Sequence, residues 1–251
     1  MSEPAIEKSN DALRQAEKAK IAPPPARRYR TLLFYILLVS AIIAFSFLTF
    51  LVETIPSFAI DLQITLAIQS IDSPFFANLM WLVSWPGFLP QSVIITLLIA
   101  LLLYLYGLRW ESAISLLAAL VSGVSNELIK GAIQRPRPAI NLVDVFEVLT
   151  SYSFPSGHVM FYTILFGFFW YVIYTMLKRS YLRNLLLTLL GSLILFVGVS
   201  RIYLGQHWAS DVLGAYLLGG LILSASILLH QWGKGRYFLR QPADSTGSEK
   251  G

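Results

Sequence analysis

The chain has 251 residues, 56% of them hydrophobic and only 13% charged, with a mean hydropathy of +0.64. A soluble domain of this length carries about a quarter of its residues as charges, so the composition excludes an ordinary water-soluble fold and makes a bilayer the natural solvent. With no cysteine, disulfide and thiolate chemistry are excluded as well. The net charge of +5 is spread between apolar runs, so membrane topology accounts for it and no nucleic-acid partner is expected.

Residues 1–30 are polar, mixed in charge and interrupted by Pro23-Pro24-Pro25, which reads as a disordered tail. The apolar run 31–52 follows; its length and the lack of a small-residue cleavage site mark it as a span rather than a signal peptide. About 20 apolar residues cross the ~30 Å hydrocarbon core as a helix. By that measure further spans are expected at 89–107, 110–130, 157–177, 184–200 and 209–230, six in all. The segment 56–88 is apolar but broken by Asp61, Asp72, Pro74 and Pro86. Phe58, Leu62, Leu66 and Ile68 form one apolar face there, with Asp61, Gln63 and Gln69 elsewhere. That pattern predicts short helices lying at the interface. The expected architecture is an all-α, six-transmembrane helical bundle over 31–232, followed by a polar tail, 233–251.

Six spans put both termini on one side. With the N-terminus cytoplasmic, all but four of the 19 Lys and Arg fall on the cytoplasmic side, as the positive-inside rule requires. The exceptions are Lys130, Arg135, Arg137 and Arg201, and they call for a reason of their own.

Those four belong to three short motifs at span ends on the same outer face. They are Lys130-Gly-Ala-Ile-Gln-Arg135-Pro136-Arg137-Pro138, Pro155-Ser156-Gly157-His158, and the stretch from Ser200-Arg201 through His207 to Asp211. Charged groups so close to hydrocarbon mark function by default. Lys130, Arg137 and Arg201 supply fixed positive charge and forked donors suited to phosphate oxygens. Ser156 and Gly157 open a helix, where free N–H groups favour an anion. A neutral imidazole can attack phosphorus, and Asp211, one turn from His207, can orient it. A second histidine can serve as acid and base. The residues alone do not decide which of His158 and His207 is the nucleophile. No metal is required, and no cluster with metal-ligand spacing stands in the sequence. No cofactor is expected.

Taken together, K-x6-R-P, P-S-G-H and S-R-x5-H-x3-D resemble the three signatures of the type 2 phosphatidic acid phosphatase (PAP2) superfamily, complete and in order. The resemblance covers about 31–230. It implies a six-helix membrane phosphatase acting on lipid phosphates or diphosphates through a phosphohistidine. It also implies His207 as the nucleophile, Asp211 as its orienting partner and His158 as the acid/base. Lys130, Arg137, Arg201, Ser156 and Gly157 become the phosphate pocket. Phosphatidic acid, phosphatidylglycerol phosphate, a polyprenyl diphosphate and a lipid A phosphate all present the required group. Two rivals are a phosphotransferase using the same intermediate and a lipid-phosphate binder or transporter without turnover. The expected setting is a plasma (inner) membrane with the site on the outer face.

Arg135-Pro136 repeats the Arg-Pro signature two residues early, so Arg135 stands as an auxiliary or competing ligand. Asn126 and Glu127 read as supporting or packing groups behind Lys130, and Asp144 and Glu147 as solvated charges at the site mouth. His230, without a motif, reads as interfacial. Trp81, Trp85, Trp110, Trp170, Tyr171, Trp208 and Trp232 read as interface anchors. Trp208 and Tyr203 are also candidates for the substrate entrance.

Overall fold

The computed structural model describes residues 24–55 and 58–238, and every described element is helical. In chain order these are α1 (Pro24–Thr54), α2 (Ala59–Gln69), α3 (Pro74–Ser84), α4 (Gln91–Leu105), α5 (Arg109–Ile133), α6 (Gly157–Met176), α7 (Tyr181–Tyr203) and α8 (Ala209–Gly233). Two compact units divide the chain between Ile43 and Ala44. The described part of the first is the opening of α1; the second holds all the other helices. Helix begins at Pro24, inside the expected N-terminal tail, and a π turn, Lys234–Phe238, carries α8 into the expected C-terminal one. The rest of both expected tails lies outside the described residues.

Among the described residues, five helices are long and apolar enough to cross a membrane: Tyr29–Thr54, Arg109–Ile133, Gly157–Met176, Tyr181–Tyr203 and Ala209–Arg236. α4 alone is too short. It passes the same test only together with Pro74–Gly87, from which it is bent by 61°. The bend falls where the chain forces it, at Trp85-Pro86-Gly87 and Leu89-Pro90, since proline lacks the N–H that would continue the helix. The protein is an integral membrane protein with an all-helical bundle.

α6 is the most buried of the spans and forms the core. Val159, Met160, Tyr162, Ile164 and Leu165 pack with Val197 and Ile202 of α7 and with Val212 and Ala215 of α8. Its second turn is a π turn, Tyr162–Phe166, and the Tyr162 hydroxyl donates to the Val83 carbonyl at 2.5 Å, tying α6 to α3.

Several local devices place the functional loops. α5 stops at Gln134, which takes a left-handed conformation (φ 52°) while its N–H caps the Lys130 carbonyl at 2.9 Å. Pro136 and Pro138 then keep the chain out of helix. At the end of α7, Gly205 (φ 65°) turns the backbone so closely past Asp144 that an added Cβ would overlap the Asp144 carbonyl. Gly205→Ala therefore meets both a left-handed strain and a backbone clash, and is expected to cost about 1–3 kcal/mol. The check is its melting temperature in detergent; a wild-type value contradicts this account of the turn.

The α2–α3 segment differs from expectation in which face is buried. Asp61 and Thr65 are buried, while Leu66 of the expected apolar face is exposed. At the opposite end of the bundle, His230 is not an interfacial side chain. It is 3% exposed, with Nε2 3.0 Å from Glu111 Oε1, and Lys234 reaches the same carboxylate oxygen at 2.5 Å. An imidazole so buried needs a partner, and the acid that opens α5 provides one. Trp208 is also buried rather than interfacial, its indole donating to the Pro136 carbonyl at 3.2 Å.

Candidate active site

A cavity of about 760 Å³ brings the motifs together. Lys130, Arg137, Gly157, His158, Arg201 and His207 all line it. Two of the predicted residues do not: Asp211 is fully buried behind His207, and Ser156 lies below the surface with its N–H 3.3 Å from the Asp211 carbonyl.

His207 sits in the tight turn between α7 and α8, and its ring faces two environments. Nε2 points toward the cations, 3.3 Å from Arg137 Nη1. Nδ1 points inward, 3.5 Å from both Asp211 Oδ2 and Ser153 Oγ. That is the outer edge of hydrogen-bonding reach, a separation that catalytic pairs commonly close once substrate is bound. Burial first, then Arg137, Arg201 and Lys130, hold the His207 ring well below the ordinary histidine value, with the Ser153 backbone opposing. The ring is therefore neutral at neutral pH, the state in which Nε2 keeps its lone pair.

Arg137 is braced by the loop before α6. It donates to the Ser151 carbonyl (2.7 Å), the Ser151 hydroxyl (2.9 Å), the Tyr152 carbonyl (3.2 Å) and the Gln206 carbonyl (2.5 Å). Burial lowers its guanidinium from the ordinary arginine value and Asp211 opposes the shift. Lys130 makes a loose pair with exposed Glu127, at 3.7 Å. Asn126 secures the Pro-Ser-Gly-His turn, its amide donating to the Pro155 carbonyl at 3.0 Å.

Sequence reasoning missed what α3 and its turn contribute. Ser84 Oγ accepts from Arg201 Nη1 at 3.0 Å and lies 2.7 Å from Ser200 Oγ. The Phe88 ring stands edge-on to His158, with centroids 4.8 Å apart, and also lies 5.4 Å from the Arg201 guanidinium. Gly87 passes so near His158 that a Cβ there would overlap the imidazole, so only glycine leaves room for the ring. Ser153 was missed too; its hydroxyl donates to Asp211 Oδ2 at 2.5 Å. The available signal was a run of small and turn-forming residues inside an apolar segment.

Three buried polar atoms around the cavity, His158 Nε2, Ser156 Oγ and Arg201 Nε, have no hydrogen-bond partner among the described residues. Such atoms are costly unless something meets them. Among those residues there is also no group of three or more His, Asp or Glu able to hold a metal. Tyr203 is not at this cavity. It lines a separate one, of about 550 Å³, with Gln69, Trp81 and Phe146.

Residues 111–234 match the model of the PAP2 superfamily. They form a PAP2-superfamily domain. All three motifs fall inside this PAP2 domain, whereas Asp61, Ser84, Gly87 and Phe88 precede it. Over 121 residues the chain is 32% identical to phosphatidylglycerophosphatase B of Bacillus subtilis, covering 48% of this chain and 58% of that protein. The chain thus spans somewhat more than half the length of that curated relative. Among solved structures, a transmembrane PAP2-type phosphatidylglycerolphosphate phosphatase from Bacillus subtilis superposes with a TM-score of 0.69 at 24% identity, covering 81% of this chain and 98% of that one. Aquifex aeolicus LpxE gives 0.57 at 22% identity, over 69% and 98%. These two likenesses are of fold. They extend the match beyond the PAP2 domain to most of the helical bundle.

Proposed function

We propose that the protein is a lipid phosphatase that hydrolyses a phosphomonoester or diphosphate on a lipid, through a phosphohistidine on His207, at the non-cytoplasmic membrane face. The observation that carries this reading is the form of the cavity. From the cations and histidines it continues between α4 and α5, past Val93, Leu97, Leu116 and Leu120, side chains of membrane-facing helices. A phosphate at one end and an apolar tail at the other fit one continuous space. The relatives' names point to phosphatidylglycerol phosphate as the first substrate to try.

Lys130, Arg137 and Arg201 hold the phosphoryl oxygens, and the partnerless Ser156 Oγ lies under the same pocket. His207 Nε2 attacks phosphorus as the bond to the lipid oxygen breaks. His158 gives its proton to that oxygen, so the lipid leaves as an alcohol or, from a diphosphate, as a monophosphate. His158 then takes a proton from water, whose oxygen attacks the phosphohistidine. Inorganic phosphate leaves and His207 returns to its starting state. Asp211 stabilises the charge that develops on the His207 ring in the first step. The three cations meet the charge spread over the equatorial oxygens, the part a metal plays in other phosphoryl transfers.

The test is phosphate release by purified protein from phosphatidylglycerol phosphate, phosphatidic acid, a polyprenyl diphosphate and a lipid A phosphate, each with and without EDTA. We expect release from at least one, unchanged by the chelator. No release from any of them overturns the reading, and a strict metal requirement overturns the mechanism.

A further inference from the structure

Arg135, the cation that repeats the Arg-Pro signature, does not line the cavity. It is 1% exposed and lies behind Asp211. Its guanidinium bridges two carboxylates: Nη1 reaches Asp211 Oδ1 at 2.5 Å and Nη2 reaches Asp61 Oδ2 at 2.8 Å. Ser210 closes the network. Its N–H and hydroxyl donate to Asp61 at 2.8 and 2.5 Å, and its oxygen accepts from Arg135 at 2.7 Å. Asp61 comes from α2, outside the matched PAP2 domain.

We infer that Asp61 and Arg135 are positioning residues, which set the orientation and effective charge of Asp211 and through it the basicity of His207. The inference rests on the proposed phosphatase reading. Arg135 occupies Asp211 Oδ1, while the N–H of Trp208 (2.9 Å) and the Ser153 hydroxyl hold Oδ2, the oxygen that faces His207 Nδ1. The carboxylate cannot rotate without breaking three hydrogen bonds. A buried ion triad is a poor device for stability alone, because apolar residues of similar volume usually do as well or better. Placed one residue behind a catalytic pair, it sets a charge.

The charges run negative, positive, negative from Asp211 through Arg135 to Asp61, with His207 at the near end. Asp61 draws on part of Arg135's charge and leaves Asp211 less neutralised. Removing Asp61's charge leaves more of Arg135's charge to Asp211, and His207 becomes less basic. Removing Arg135's charge leaves two carboxylates behind the ring, and His207 becomes more basic. The other groups facing His207 are Arg137, Arg201, Lys130 and His158. They stay the same in both variants.

The experiment compares wild type, Asp61→Asn, Arg135→Gln and the double variant on phosphatidylglycerol phosphate, recording kcat, KM, the acid limb of kcat/KM and detergent melting curves. Asp61→Asn is expected to lower kcat about tenfold with KM within about threefold. Its acid limb should move down by about half a pH unit, and that of Arg135→Gln up by a similar amount. The double variant should lie between wild type and Arg135→Gln, and it carries the test if Arg135→Gln alone does not fold. The substrate's own ionisation is common to all four proteins, so differences between them belong to the enzyme. Limbs that do not move, or that move in the same direction in both single variants, overturn the inference, as does an Asp61→Asn protein that cannot fold. A wild type that releases no phosphate overturns the phosphatase reading itself, and the inference with it. An active wild type with unaltered variants overturns the inference alone.

Discussion

His207→Ala is expected to abolish phosphate release, by on the order of 10⁴-fold or more, as removal of a nucleophile does where no other group can take its place. The protein should still insert and melt as the wild type does. The polar contacts of the His207 ring are long, at 3.3 Å and 3.5 Å, so its loss breaks no short hydrogen bond in the bundle. Wild type quenched in alkaline detergent during turnover should carry phosphate in an acid-labile, base-stable linkage that the variant lacks. Near-normal turnover in the variant would sink the nucleophile assignment. The pH profile carries a second check. Because burial and three cations hold the ring well below its ordinary value, His207 stays neutral through pH 6.5. Activity should therefore persist there and fall only as the ring takes up a proton at lower pH.

The second large effect concerns the leaving group. His158→Ala should lower turnover of a lipid monophosphate by about 10²–10⁴-fold, the usual worth of a general acid. An alkoxide leaves poorly without a proton, whereas a nitrophenolate leaves without one. The same variant should therefore lose far less in the first step on nitrophenyl phosphate, read as the burst of nitrophenolate that precedes hydrolysis of the phosphohistidine. The contacts of His158 favour this role. Its ring is held against Gly87 and Phe88, and its Nε2 has no partner among the described residues, free to meet the oxygen that departs. Equal losses of that first step on both substrates would make His158 a packing residue.

The proposed reacting groups were legible in the sequence because each motif is local. Lys130 and Arg137, His158, and Arg201 through Asp211 sit at fixed offsets on span ends, and helix geometry alone brings them to one face. The supporting groups were not legible, because they arrive from far along the chain. Asp61 looked like the polar edge of an interfacial helix. It is buried, since an arginine 74 residues later pairs with it. Arg135 and Asp61 were each anomalous in an apolar setting, and only the fold shows that they answer one another. The same holds for Glu111 and His230, two ionisable groups in separate spans that meet at 3.0 Å. α3 and α4 illustrate another limit. Hydropathy finds apolar length, but the 61° bend between them follows from prolines whose effect on direction no window of composition records.

The Glu111–His230 pair also bears on how the protein meets its membrane. α5 has Glu111 in its first turn and Lys130 in its last; α8 has Asp211 in its first turn and His230 in its last. The two helices run antiparallel and are riveted at both ends, by Glu111–His230 on one side and by Arg135–Asp211 on the other. Bilayers differ in thickness by several Å, and helices adapt by tilting or sliding past one another. Helices pinned at both ends can tilt together but cannot shear. Lys130 and Asp211 are thus expected to keep their separation whatever the thickness of the surrounding lipid, and the candidate site is mechanically insulated from the bilayer around it.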